Sequence, residues 1–206
     1  MPEVRFYVGL LGSSPENRGS RAEAFEKESG GITMLPDVLR EELEVVFCGT
    51  AVGKKSASRG AYYTWPGNKF WRSLFEMELT PRLFRPGEFS ELLECGIGLT
   101  DLAKARAGRD RALAASDFDC GSLREKVKRF FPHVLAFNGK RAAEIFLGQA
   151  VTYGLQKEKI GDTFIFVLPS TSGAASGYWD EVFWAELADF LKEGGIHERW
   201  QEKYKK

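Results

Sequence analysis

The sequence predicts a single α/β domain, a mainly parallel sheet of about four core strands flanked by helices. Three observations carry that prediction. Short, nearly continuous apolar runs, the pattern of strands buried on both faces, alternate along the chain with segments whose apolar residues recur at helical spacing. Each run gives way to glycine or to small polar residues, as strands do where they hand over to a loop at a sheet edge. The 206 residues, 43% hydrophobic and 13% aromatic, suffice for one buried core.

Taken in order, residues 1–35 hold a short apolar piece, "VRFYVGLLG", and a polar, Gly- and Ser-bearing stretch, too little for a domain. They read as a mobile extension, which leaves 36–206 as the domain. "LEVVFCG" (43–49) is the first buried strand. "NKFWRSLFEMEL" (68–79) places Phe70, Trp71, Leu74 and Phe75 at helical spacing, and "GEFSELLE" (87–94) repeats the pattern briefly. "GIGLTDL" (96–102) is a weaker strand or extended segment. "GSLREKVKRFF" (121–131) puts Leu123, Val127 and Phe130 on one helical face, and Pro132 stops it. "HVLAFNG" (133–139) is strand-like, "KRAAEIFLG" (140–148) helix-like, and "DTFIFVLPS" (162–170) a strand. "YWDEVFWAELADFLKE" (178–193) closes the domain as an amphipathic helix with Phe183, Leu187, Phe190 and Leu191 inward.

Charge narrows the function classes without choosing one. Lys+Arg and Asp+Glu are both 29, so any nucleic-acid surface has to be a local basic patch. The three cysteines, Cys48, Cys95 and Cys120, are widely spaced and suit free thiols in a reducing compartment; with two histidines they offer no metal framework. No apolar run approaches the ~18 residues of a membrane span. The N-terminus lacks the charged-then-apolar order of a secretion signal, so the expected location is cytoplasmic.

In open α/β sheets ligands bind beyond the carboxyl ends of the strands. Here those ends are Gly49 onward, Thr100-Asp101, Asn138-Gly139 and Pro169-Ser170, all polar or Gly-rich. The first raises a choice. "GTAVGKKS" looks like a phosphate cradle, but a Walker A loop needs four residues between its glycines, and Gly49 and Gly53 are separated by three. That spacing misplaces the lysine and speaks against a nucleoside triphosphate. The aromatics Tyr62, Tyr63 and Trp65, between this turn and Pro66, suit a flat ligand instead, since an aromatic plane stacks a nucleobase for about 1–3 kcal/mol.

Five segments, "VFCGTAVGKKSA", "PGNKFW", "LLECGIGLTDL", "LAFNGK" and "VLPSTSG", together resemble the mismatch-specific uracil-DNA glycosylase and thymine-DNA glycosylase branch of the uracil-DNA glycosylase superfamily, in the family's order, over roughly residues 36–192. The resemblance implies a monofunctional enzyme that acts, as an expected monomer, on double-stranded DNA containing uracil or a mismatch, with no metal and no cofactor. The base must leave the stack and enter a pocket. Tyr63 aligns with the aromatic that stacks on it, and the turn from Gly49 through Thr50 and Ala51 to Ala57 aligns with the segment that meets the uracil edge and nearby phosphate through backbone N–H groups. Ser56 and Asn68, in the same motifs, are implied on the substrate side, and Lys54 and Lys55 on the DNA side. Ser170, Thr171, Ser172, Gly173 and Ala174 align with the loop that enters the minor groove.

Two departures stand out. The family's first motif is G-I-N-P-G, whose asparagine positions the attacking water; here Ala51 stands in its place. Either activity is lost and the chain only binds DNA, or another residue takes over. Asp101, at the end of the second strand, is the candidate replacement, because a carboxylate stabilises an oxocarbenium-like sugar and directs a water toward it; the plainer alternative is a cap or loop carboxylate. Thr50 offers only a hydroxyl. Asn138, at the end of the third strand, either reads the base edge or bonds within its turn. The second departure is Ala174, where the family often has a bulky aliphatic; a reduced wedge favours mismatched targets, which cost less to extrude. Lys54, Lys55, Arg59, Lys69, Arg72, Lys140 and Arg141 are the basic residues placed to form the local patch that zero net charge requires.

Overall fold

The computed structural model describes residues 35–108 and 112–193. The expected mobile extension therefore lies, apart from Leu35, outside the described residues. Within them, β1 (Val45–Ala51), β2 (Ile97–Ala103), β3 (Val134–Asn138), β4 (Gly154–Ile160) and β5 (Thr163–Leu168) form a five-stranded sheet in the order β2-β1-β3-β5-β4. The first four neighbours in that order pair in parallel, and β4 pairs antiparallel with β5. Helices α1 (Lys54–Arg59), α2 (Phe70–Glu76), α3 (Cys120–Phe130), α4 (Lys140–Leu147) and α5 (Val182–Glu193) flank it, with 3-10 segments at Pro86–Cys95, Ala115–Asp117 and Gly173–Tyr178.

The four expected strands are the parallel ones, and their apolar continuity has its reason: every residue of β2 and β3 is buried, as are all but the last of β1. β2 is stronger than its sequence suggested. It sits at the end of the strand order, yet an antiparallel bridge in which Val38 and Leu99 exchange two 2.9 Å backbone bonds covers its outer side. The fifth strand, β4, was not foreseen. Its sequence, GLQKEKI, is mostly polar and mostly exposed, as an edge strand is, and the two-residue Gly161-Asp162 connection to β5, with Gly161 at φ 59°, is the one local signal of the hairpin.

The helices differ in detail from the periodicity. "GEFSELLE" is part of a 3-10 segment, and Phe75 of α2 points to solvent at 45% exposure. In α5, Trp184 is the fully buried anchor, stacked on Phe47 of β1 with centroids 5.5 Å apart, while Phe183 and Phe190 are only partly enclosed. Such an aromatic pair adds about 0.5–1.5 kcal/mol beyond its burial. The Trp184 indole also donates to the Pro169 carbonyl at 3.1 Å, which fixes the chain leaving β5.

Candidate active site at the carboxyl edge of the sheet

Parallel pairing of β1 with β2 places Gly49 directly beside Asp101. Asp101 therefore lies within a strand, not at a cap or in a loop, and it is 5% exposed. The two residues are packed closely enough that a Cβ built on Gly49 would meet Asp101 Oδ1 at 2.5 Å, a separation real Cβ atoms do not tolerate. Glycine at the end of β1 thus makes room for the carboxylate. The same built Cβ would lie 3.6 Å from the Tyr63 hydroxyl, so the carboxylate and the phenol converge over one backbone position.

Burial pushes the Asp101 carboxyl up to about 6; Lys104 pulls the other way, Asp37 adds to the rise, and Lys126 opposes it. A group poised there is mostly ionised at neutral pH while remaining close to the pH at which proton transfer is efficient.

Tyr63 adopts the left-handed region at φ 53° and stacks on the buried Phe70, with centroids 4.0 Å apart and planes 26° from parallel. One ring face is thereby committed to the core. Its buried hydroxyl faces the Asn138 amide without closing a hydrogen bond to it. Burial, with Asp101 nearby, pushes the phenol far above its usual range, so it stays a neutral donor. A buried polar atom without a partner costs about 1–3 kcal/mol, and such a cost is offset when a bound group supplies the bond.

Asn138 is buried at the end of β3, and both ends of its amide engage Thr171: Nδ2 donates to the Thr171 hydroxyl at 2.8 Å and Oδ1 accepts from the Thr171 N–H at 2.9 Å. The amide is thus engaged with the loop that follows β5, 33 positions along the chain, and not within its own turn. An amide carries two N–H groups and two acceptor lone pairs, so this clasp leaves capacity for a base edge. The clasp corrects the placement of Thr171, which is fully buried and anchors its loop instead of lying on its surface. The loop root is held further where Lys69 N–H donates to the Thr171 carbonyl at 2.9 Å and where Gly173 lies against Gly67: a Cβ on Gly173 would be 3.3 Å from the Gly67 carbonyl oxygen. Ser170, Ser172 and Gly173 are half-buried on this root, and Ala174 is exposed in the first turn of the Gly173–Tyr178 segment.

Two other expectations resolve into local structure. The Ser56 hydroxyl is buried against Thr64, 3.2 Å from its hydroxyl, and accepts from its N–H at 3.2 Å, so it pins the aromatic turn to α1 instead of facing a ligand. Asn68 Oδ1 accepts from the Phe70 N–H at 2.9 Å, an Asx turn that leads into α2. Thr50 is buried, and Ala51, half-buried, brings only a methyl to the turn.

The basic residues sort into two sets. Arg59 is tied to the Thr64 carbonyl at 2.9 Å, and Arg72 to Glu76 at 2.7 Å in a solvent-exposed pair. Lys54 and Lys55 are exposed at the start of α1, where the Lys55 ammonium sits 3.7 Å from the centroid of the half-exposed Trp65. Lys69 lies 5.3 Å from the Trp179 ring and Lys140 4.4 Å from that of Tyr153, so lysines on aromatic planes line the same edge. Among the described residues no group of three His, Cys, Asp or Glu side chains is placed to hold a metal, and no helix is long and apolar enough to cross a membrane.

Sequence reasoning missed Asp37. It is buried at the foot of the site, in contact with Lys104, Lys126 and Thr100. Its sequence, an acidic residue after Pro36, carries no signal of that.

Two comparisons bear on identity. A solution structure described as a "putative Uracil DNA glycosylase" from Methanosarcina acetivorans superposes with a TM-score of 0.51 at 23% identity, covering 78% of this chain and 98% of that one, which shows a shared fold. The sequence profile of the Uracil DNA glycosylase superfamily matches residues 36–190, a span that includes every residue of the carboxyl-edge site described above. The chain belongs to the uracil DNA glycosylase superfamily.

Proposed function

We propose that this protein is a monofunctional DNA glycosylase that takes uracil, preferentially mispaired with guanine, out of double-stranded DNA and hydrolyses its N-glycosidic bond, leaving an abasic site. The observation that carries the reading is the buried Asp101 carboxylate packed against Gly49, beside the position where the first motif has lost its asparagine. In the reaction the C1′–N1 bond breaks and its electron pair leaves with the base. The ionised Asp101 stabilises the positive charge that develops on the sugar, and directs a water whose oxygen bonds to C1′ while its proton passes to the carboxylate and on to solvent. The site residues are Asp101 for chemistry, Tyr63 for stacking, the turn Gly49–Thr50–Ala51 and Asn138 for the base edge, and Lys54, Lys55, Ser170, Ser172, Gly173 and Ala174 for the DNA backbone and groove. Ser56, Asn68 and Thr171 support the site through the bonds described above. The chemistry uses no cofactor and needs no second copy of the chain, and its setting is the cytoplasm of a bacterial-type cell.

Ala51 favours a second reading, a homologue that binds mismatched or damaged DNA without cleaving it. One experiment separates the two: incubation with a U:G duplex, alkaline treatment and a denaturing gel. Strand scission at the uracil supports the enzyme. Retention of the duplex in a mobility shift with no scission supports the binder.

A further inference from the structure

Beneath the site lies a group of buried charges that the proposed reaction does not use. Asp37, 4% exposed, accepts the Lys104 ammonium at 2.8 Å and the Thr100 hydroxyl at 2.7 Å on Oδ1, and the Lys126 ammonium at 2.6 Å on Oδ2. Both lysines are largely withdrawn from solvent, at 24% and 19% side-chain exposure. Lys104 also donates to the Tyr62 hydroxyl at 3.0 Å, and that hydroxyl donates to the Pro36 carbonyl at 3.3 Å. The group adjoins the site through two chain neighbours, with Thr100 and Asp101 on opposite faces of their strand. Thr100 is the neighbour of Asp101 on β2, and Tyr62 is the neighbour of Tyr63, with ring centroids 6.0 Å apart.

We propose that Lys104, held in place by Asp37 and Tyr62, is a positioning residue that sets the charge of Asp101. Moving single charges into a protein interior costs several kcal/mol each, so buried charges survive as balanced sets. Here Asp37 and Asp101 supply two negative charges, and Lys104 and Lys126 supply two positive ones. The titratable groups within electrostatic reach of Asp101 are Cys48 on β1, Tyr62 and Tyr63 after α1, Lys104 after β2, Lys126 on α3 and Asp37 before β1. Burial holds the Cys48 thiol and both phenols well above their usual ranges, which keeps them neutral and leaves the two lysines and Asp37 as the charges that matter. Burial alone would also raise Asp37, but its two lysines outweigh that and hold its carboxyl below the usual range, so it remains an anion that fixes Lys104. The inference rests on the reading of Asp101 as the acting carboxylate, but it makes a claim about that carboxylate's titration that is measurable without turnover.

The arrangement dictates opposite signs for two lesions in one network. Lys104→Met removes a cation, and the Asp101 titration moves to higher pH. Asp37→Asn removes an anion and leaves Asp101 as the one carboxylate among two cations, and the titration moves to lower pH. Each shift is about one pH unit, the lower end of what a nearby charge produces. Lys104→Arg keeps the charge and leaves the titration near that of the wild type. The test is the carboxyl 13C resonance of Asp101, followed against pH by NMR in the full chain, beside the pH profile of single-turnover cleavage. Should Lys104→Met not fold, Lys126→Met makes the same prediction. Opposite shifts of the resonance, matched by the acid limb of cleavage, support the inference. Shifts of the same sign, or none, overturn it, because general loosening of the fold has no reason to move one carboxyl in two directions. Opposite shifts with no cleavage by the wild type leave the charge network standing and remove the glycosylase reading.

Discussion

The ends of β1 and β2 lie side by side in one parallel pair and present opposite chemistry. β1 ends in Gly49, Thr50 and Ala51, with no side chain on the first and only a methyl on the last. β2 carries, two residues before its end, the Asp101 carboxylate, which is 5% exposed. The contrast teaches that register alone can bring a carboxylate of one strand against a position of its neighbour that carries no side chain, since Asp101 pairs with Gly49. What β1 contributes is space: it is the absence of a Cβ on Gly49 that lets the carboxylate pack there.

The sharpest way to break the comparison is Asp101→Asn, which is expected to leave DNA binding close to that of the wild type and to reduce single-turnover cleavage of a U:G duplex by at least ~100-fold, the scale of losing one transition-state charge. Stability responds in the opposite sense. The folded carboxyl titrates at about 6 against an ordinary 3.8, so the folded state holds this proton more tightly than the unfolded state. Its stabilising contribution is complete below about pH 4 and is lost as pH rises through 6, about 3 kcal/mol in all at 1.36 kcal/mol per unit. Denaturant midpoints measured from pH 4 to 7 are expected to show that decline in the wild type, and Asp101→Asn to lack it.

Gly49→Ala attacks the other half of the pair. The new methyl would meet Asp101 Oδ1 at 2.5 Å, so the carboxylate has to move, and a misplacement of that kind lowers cleavage on the order of 10- to 100-fold. Wild-type rates for this variant would mean that the close packing has no part in the chemistry. Tyr63→Ala is expected to weaken capture of an abasic-site or uracil-analogue duplex by about 1–3 kcal/mol, read by fluorescence anisotropy; unchanged affinity and cleavage would assign the ring to its stack on Phe70 alone. The smallest effect concerns the exposed Ala174, which brings one methyl to a loop whose root is fixed. Extrusion then costs the duplex a few kcal/mol, least for a mismatch, so U:G should be cleaved faster than U:A in matched oligonucleotides. Ala174→Leu is expected to narrow that gap by raising the U:A rate.

Much of this arrangement was legible because it is local or repeats along the chain. The four parallel strands announce themselves as apolar runs ending in glycine or polar residues, and once they pair, Gly49, Asp101 and Asn138 fall on one edge. What could not be read depends on contacts between distant segments. The Asp37 carboxylate accepts from Thr100 across 63 positions of sequence, and nothing near Asp37 marks it. Ser56, Asn68 and Thr171 share the residue types of ligand contacts, and only coordinates show their oxygens already engaged with Thr64, Phe70 and Asn138. β4 was hidden because an exposed edge strand of lysines and glutamate lacks the apolar run by which its partners are found.

The central claim, that a buried carboxylate on β2 does the work the first motif of β1 has given up, is tested most directly by the pH dependence of single-turnover cleavage on a U:G duplex. The account predicts a rate that is high at neutral pH and falls on acidification with a midpoint of about 6, as Asp101 takes up its proton, and a residual rate in Asp101→Asn without that limb. A wild-type rate that stays level down to pH 4, or an Asp101→Asn variant that cleaves at the wild-type rate, would contradict it.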